Sequence, residues 1–423
     1  MQKFKNIFSP RKMIIWVSIL VLVISFQYTN QPAQSQTQAI ATALAVDMVE
    51  EDLIQVSAVI LTPLQSATSK RKAYTAQGID ITNAINNISL QVGKQIGFGQ
   101  CDIMALGDKI CERDALKALD YLTRTKRVGR NAVLINFSGK TEDFANCVVQ
   151  LNDAMSLSVA EIINFNREYI VASETNIETF FKGYYGDLGL SIMPKIKVGE
   201  QEVMNAVKIS VEQGGGSSNS SGGGSSSGAY SEGSGESKPK ELYFTNDGTT
   251  SIFRDGKKFT EIKPEDIKYI NLLQPQHVLG TFKLENVNSD LFNNARVVID
   301  LTDKEMKYKL KFKDGKPKIT YSIDLYITID EIIEGEKTDN LLHTENWFVD
   351  DSVVTALTDK ITENLDIIIE KLKQENIDMT KVYDKFYKFK HKKFKKFLSS
   401  LENEKEFLKD VIFDYKITIH SSY

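Results

Sequence analysis

This 423-residue chain predicts an α/β to α+β fold: several mixed-sheet domains with helices packed on the sheets, behind an N-terminal hydrophobic anchor. Three patterns carry the prediction. Short β-branched runs alternate with helix-period segments between residues 39 and 148, as happens where helices layer onto a sheet. From Ile319 to Ile329 apolar residues recur at every second position, which gives a strand one buried and one wet face. Leu357, Ile361, Leu365, Ile368 and Leu372 recur at spacings of four and three, a helical stripe that can cover such a sheet.

The elements follow in chain order. A basic run (Lys3, Lys5, Arg11, Lys12) precedes an uncharged apolar stretch comprising Met13, Ile14, Ile15, Trp16, Val17, Ile19, Leu20, Val21, Leu22, Val23, Ile24 and Phe26, with Ser18 and Ser25 between them. At about 1.5 Å per residue it spans roughly 21 Å, against roughly 30 Å for a hydrocarbon core, so its length suits an export signal. No A-x-A site follows in QYTNQPAQSQ, which favours retention as an anchor. Residues 1–35 therefore read as signal or membrane anchor, and the preceding positive charges place the rest of the chain outside the cytoplasm.

ATALAV up to Val46 and LIQVSAVIL up to Leu61 form a hairpin across the polar turn 47–52, and Pro63 closes the pair. Asp80 caps a helix whose Ile81, Ala84, Ile85 and Ile88 share one face. QCDIMAL is a short buried strand, a helix runs from about Arg113 to Thr125, AVLINF ends a strand at Phe137, and Thr141 opens a helix carrying Phe144 and Val148. Residues 36–155 read as one α/β domain. The glycine-punctuated, aromatic stretch 174–194 leads into short strands near Ile196 and Val207. The Gly/Ser run that follows makes 213–240 a flexible linker or exposed loop, since it lacks the apolar groups that offset chain entropy, and it interrupts the stretch 156–275, which reads as a middle domain. ELYF and the hairpin SIFRDGKKF, turning at Asp255-Gly256, close that domain. Residues 276–423 read as an antiparallel sheet plus helices: ARVVIDL, KYKLKFK, the Asp314-Gly315 turn, the strand 319–329, the stripe helix, a basic helix from about Lys381 to Leu401, and DYKITI ending at Ile419.

Composition bounds the function. Fifty-two Lys plus Arg against 56 Asp plus Glu leave a formal charge of −4, which supplies no field for a nucleic-acid backbone. Cys101, Cys111 and Cys147 form no CxxC and have no nearby His, which argues against a structural zinc site and favours buried free thiols. His277, His343, His391 and His420 are scattered, and no Ser/His/Asp order, HExxH or dinucleotide fingerprint appears. No catalytic, metal or cofactor residue is assigned. Asp350-Asp351 and Glu50-Glu51 read as turn and cap residues, and Trp347 in HTENWF as the cover of a core edge. The basic helix admits two readings. Lys388, Lys392, Lys393, Lys395 and Lys396 can form a cationic surface for anionic lipid or an acidic partner, or the aromatics among them pack on the sheet and leave the lysines in water.

Three stretches resemble the C subunits of bacterial spore germinant receptors, the Ger(x)C family. They are Thr75–Gly139 (TAQGIDITNAINN to LINFSG), Ser251–Ile267 (SIFRDGKKFTEIKPEDI), and the C-terminal pattern KPKITYSIDLYITIDEI, stripe helix, Asp378, basic helix and VIFDYKITI. The resemblance implies a non-enzymatic extracytoplasmic subunit on the outer face of the spore inner membrane. It would work beside integral-membrane A- and B-type subunits in nutrient-triggered germination. No catalytic residue is carried over. The family's members carry a lipid-bearing cysteine straight after the apolar segment; ISFQYTN has none, and the first cysteine is Cys101. That departure leaves a second reading, an exported solute-binding or cell-envelope interaction protein of the same fold acting outside germination.

Overall fold

The computed structural model describes residues 14, 16–22, 38–50, 53–62, 70–126, 128–155, 175–200, 242–245, 248–275, 279–289, 292–334 and 350–421. The expected strand near Val207, the Gly/Ser insertion and HTENWF lie outside them.

The predicted first hairpin is β1 (Gln38–Glu50) with β2 (Leu53–Thr62), antiparallel, Ala43 opposite Val59 and Met48 opposite Ile54. Beside β2 runs β3 (Lys70–Gly78), a strand the sequence pattern leaves unassigned because its apolar positions are interrupted by Lys72, Thr75 and Gln77. Helix α1 (Ile81–Val92) starts where expected: the Asp80 carboxylate accepts from the Asn83 N–H at 2.7 Å, and Gly93, at φ 73°, ends the helix in the left-handed conformation. The short β4 (Gln95–Gly97) lies beside the start of β1.

Next come β5 (Ile103–Gly107), wholly buried, α2 (Asp108–Arg124), β6 (Val133–Ser138) and α3 (Thr141–Met155). The sequence places the start of α2 near Arg113, five residues late, and the reason is local. Asp114 breaks the helix (φ −173°, ψ 83°), its carboxylate caps a fresh start by accepting from the Lys117 N–H, and the Ala115 N–H donates to the Gly256 carbonyl instead of within the helix. Helix α4 (Ile177–Tyr184), capped by Asn176, was hidden in an aromatic stretch punctuated by Gly183 and Gly186. Strands β7 (Leu190–Glu200), β8 (Leu242–Thr245), β9 (Thr250–Arg254) and β10 (Lys257–Ile262) complete a ten-stranded sheet in the order β10-β9-β7-β6-β5-β1-β2-β3, with β4 on β1 and β8 on β7. Strands from both sides of the expected 155/156 division thus share one sheet.

Strands β1, β5, β6 and β7 are parallel neighbours and have helices on both faces. Leu44 and Val46 point into one core with Ile85, Ile88, Leu119 and Leu122. Ala43 and Ala45 point into the other with Phe137, Phe144 and Val148. Burial on both sides explains why β1 reads as a nearly unbroken apolar run.

Helix α5 (Pro264–Leu272), with Pro264 in its first turn, leads to a four-stranded sheet, β11 (Gly280–Val287), β12 (Ala295–Lys313), β13 (Lys316–Glu334) and β14 (Ile412–Ser421). Ile319, Tyr321, Ile323, Leu325 and Ile327 are all buried as the alternation predicts. Ile329 is only half-buried, and Ile332 takes the next core position beyond an irregularity in the β12–β13 register. Helix α6 (Asp351–Glu375), capped by Asp350, buries all five residues of the predicted stripe. Two expectations are corrected. Strand β14 pairs parallel to β13, because α6 and the segments after it carry the chain back to the end where β13 begins; the sheet is mixed, not antiparallel. The single basic helix is two, α7 (Val382–Phe389) and α8 (His391–Leu398), broken at Lys390 (φ −134°, ψ 30°).

Polar contacts tie the two sheets together. Arg254 of β9 donates to the carbonyls of Glu375 and Asn376 at the end of α6, at 2.8 and 3.1 Å, where the helix dipole favours a cation. Gln274 donates to the Met379 carbonyl, and buried Lys304 of β12 donates to the carbonyls of Asn271 and Gln274 at 2.9 and 2.6 Å.

Candidate functional site

Two concave sites and one charged surface stand out. The larger cavity, about 700 Å³, opens between α1 and α2 beyond the carboxyl ends of β1 and β3. Met48, Ile54, Ile81 and Ile110 line its floor, and Asp80, Arg113, Asp114, Lys117, Tyr121 and Lys257 its rim. Most of these polar groups serve the fold itself. Asp80 and Asp114 cap helices, and Thr82 and Tyr121 share a hydrogen bond across the groove. The smaller cleft, about 380 Å³, lies where α4, β7 and β9 meet α5 and the loop before α7, and includes Ser191, Asn271, Gln274 and Asp378. Burial pushes the Asp378 carboxyl up, although it accepts from the N–H groups of Val382 and Tyr383 at 2.9 and 2.8 Å; it is a cap for α7.

Beside the first sheet's α2 a compact ion cluster closes the structure. Asp108 meets Lys258 at 2.6 Å and Lys195 at 3.1 Å, and Glu261 meets Lys195 at 2.7 Å and Lys258 at 2.5 Å. Both lysine side chains are only 11–12% exposed. Burial raises both carboxyls, but the hydrogen bonds and charges of Lys258 and Lys195 outweigh it and hold them below their ordinary values. The cluster pins the β9–β10 hairpin to the β5–α2 turn. Its four charges neutralise one another and act as a structural lock.

The charged surface surrounds the turn of the β12–β13 hairpin. Its helical part contains the predicted Lys388, Lys392, Lys393, Lys395 and Lys396, all exposed together with Lys390. Beneath them Val382, Phe386, Phe394, Phe397 and Leu398 are buried, so the aromatic edge packs on the sheet and the lysines are exposed, an arrangement common to both readings of this helix. Two aromatics are exceptions: Tyr387 is 44% and Phe389 55% exposed among the lysines. Lys385 turns inward, donating to the Thr380 carbonyl at 2.8 Å over the rings of Tyr308 and Tyr321, and burial pushes its ammonium down to about 8.

The strand part is not among the residues that the sequence pattern singles out. In KYKLKFK a period of two places Lys307, Lys309, Lys311 and Lys313 on one face. The register sets them opposite Ser322, Thr320, Lys318 and Lys316 of β13. Lys316 and Lys318 pair with Asp410 and Asp414, but among the described residues no carboxylate pairs with Lys309, Lys311 or Lys313.

Of the predicted anchor, Ile14, Trp16, Val17, Ile19, Leu20, Val21 and Leu22 are described and exposed, with 16–22 helical; Met13, Ile15, Val23, Ile24 and Phe26 lie outside the described residues. Among the described residues no helix is long and apolar enough to cross a membrane. The three cysteines are buried and unpaired. Burial pushes the thiols of Cys101 and Cys147 up to about 12, and that of Cys111 well above its ordinary value. Among the described residues no group of three or more His, Cys, Asp or Glu side chains is gathered as a metal site would require.

The two sheets with their helices define a mixed, multi-layer α/β protein whose most distinctive surface is rich in lysine. Comparison with known proteins gives the class its family. Residues 33–198 match the spore germination protein N-terminal domain, and residues 248–421 match the C-terminal domain described as spore germination B3/GerAC like. The chain belongs to this GerAC-like family of spore germination proteins. It is 19% identical over 425 residues to spore germination protein KC of Bacillus subtilis (strain 168), covering 96% of this chain and 94% of that protein. The crystal structure of the GerBC protein is similar with a TM-score of 0.45 and 11% identity, covering 90% of this chain and 97% of that one.

Proposed function

We propose that this protein is the extracytoplasmic C-type subunit of a spore nutrient-germinant receptor. It is tethered by its N-terminal apolar segment to the outer face of the spore inner membrane, and works by interaction and signalling beside integral-membrane A- and B-type subunits, with no bond made or broken. Membership of the spore germination family supports a role in germination. The observation that carries the reading is that both domains of that family match in order, over residues 33–198 and 248–421. The basic n-region and uncharged h-region support the tether and the orientation.

Deleting the gene in its spore-forming host is expected to slow germination on at least one nutrient, and affinity purification from spore membranes to recover integral-membrane subunits. Wild-type germination on every nutrient tested, without a compensating paralogue, overturns the germination role. Expression confined to vegetative cells would support instead the envelope protein acting outside germination.

A further inference from the structure

Charge on the C-terminal sheet is segregated along its strands. Around the β12–β13 turn lie Lys309, Lys311 and Lys313 on β12, and Lys392, Lys393, Lys395 and Lys396 on α8; Asp314 sits in the turn itself, and Lys316 is paired with Asp410. Toward the opposite end the same two strands carry Asp300, Asp303, Asp330, Glu331 and Glu334. The two lysine groups lie level with each other at one end of the sheet, on its two sides, because the ring contacts set α7 and α8 against the inner face beside the turn. Phe312, one residue from the end of β12, meets Phe386 of α7 with ring centres 5.6 Å apart, and Phe386 meets Phe394 of α8 at 5.5 Å. Helices α7 and α8 therefore lie level with the turn on the sheet's inner face, and the strand lysines project from the outer face.

In a chain of net charge −4 this is a strong polarity. A protein of that charge is repelled on average by an anionic surface, so a basic end orients it. The feature that selects lipid over an acidic protein is the pair of exposed rings, Phe389 and Tyr387, standing among the lysines with Lys388 over the Phe389 ring. Aromatic side chains beside lysines on the outer side of an amphipathic helix suit the headgroup boundary, where the ring enters the interface and the ammonium groups meet phosphate.

We infer that the β12–β13 turn with α7 and α8 is a docking surface for anionic phospholipid headgroups, a second membrane attachment besides the N-terminal tether. The inference rests on the proposed placement of the chain against a bilayer, and not on germination. Eleven residues separate Phe26 from β1, a span of at most about 40 Å. An apolar segment of roughly 21 Å gains most from such a partner, because weak membrane signals become firm in pairs.

The test uses the full-length protein and sedimentation with vesicles of phosphatidylcholine alone or with 30% phosphatidylglycerol, about the anionic share that makes such a surface potential matter. The tether is expected to bind both kinds. The basic end is expected to add an increment on phosphatidylglycerol that fades between 0.05 and 0.5 M NaCl, roughly the range over which the Debye length falls several-fold. A Lys392→Gln, Lys393→Gln, Lys395→Gln, Lys396→Gln variant and a Lys309→Gln, Lys311→Gln, Lys313→Gln variant are each expected to lose at least about tenfold of that increment, since each lysine near an anionic membrane contributes on the order of a fivefold factor. The Lys→Arg versions are expected to keep it. All these side chains are exposed, so the fold is expected to melt as the wild type does. No increment on phosphatidylglycerol, an increment indifferent to the lysines, or lysine-dependent binding to poly-glutamate without any to phosphatidylglycerol each overturns the inference. Failure to bind phosphatidylcholine at all would count against the tether instead.

Discussion

Replacing Asp108 by Asn removes one of the two carboxylates that hold Lys195 and Lys258. The cluster passes from two positive and two negative charges to an excess of one positive, and both ammonium groups must share Glu261. One contact at 3–4 Å is worth about 4 kcal/mol at an effective dielectric of 20. Residual hydration of the quarter-exposed Asp108 and the remaining contacts to Glu261 offset about half of it. A net cost of about 2 kcal/mol follows, between about 0.5 for an exposed pair and about 4 for a fully buried one. Urea unfolding at pH 7 measures it, and the Asp108→Asn, Lys258→Met double-mutant cycle isolates the pair. The pH dependence supplies an independent sign. Asp108 and Glu261 are held below their ordinary values of 3.8 and 4.5, so their contribution is complete above those values and lost as pH falls through the lowered ones. Wild type should therefore lose stability steeply below about pH 4.5, and Asp108→Asn less steeply. A cost under about 0.5 kcal/mol with an unchanged acid limb would refute the lock.

Leu365→Ala in the α6 stripe should cost about 2–5 kcal/mol in the same assay, since Leu365 is fully buried between helix and sheet; a cost below 1 would mean the stripe does not cover the sheet. Gly183→Ala should destabilise by more than about 1 kcal/mol, because its Cβ would lie 2.2 Å from the Leu190 carbonyl oxygen; a neutral effect would show that α4 and β7 can separate. Burial pushes Lys268, Lys304 and Lys385 down to about 8. Between pH 8 and the onset of tyrosine ionisation near 10 the unfolded chain holds more protons at these sites, so stability should rise with pH, and Lys304→Met should flatten that rise.

Local chemistry made much of the fold legible. Asp80 and Asp350 announced their helices because a side-chain oxygen before an apolar face satisfies an orphan N–H wherever it occurs. The β13 alternation and the α6 stripe were equally plain, because burial on one side imposes the period of the backbone on the sequence. Distant contacts hid the rest. Helix α4 packs Phe180 against Phe253, and β3 is placed by its pairing to β2. The break at Lys390 lets Phe386 and Phe394 reach one pocket.

The lysines of the basic helix are legible as a charge run, whereas only the contact of Phe312 with Phe386 brings those of KYKLKFK to the same end of the sheet. Sequence alone settled which residues turn inward and where most elements begin, since those depend on neighbours within a few positions. Tertiary structure alone decided the parallel return of β14, the joining of strands from 38 to 262 into one sheet, and the meeting of two lysine groups at one end. Each of these brings together residues tens to hundreds of positions apart, and such distances leave no periodic trace along a chain.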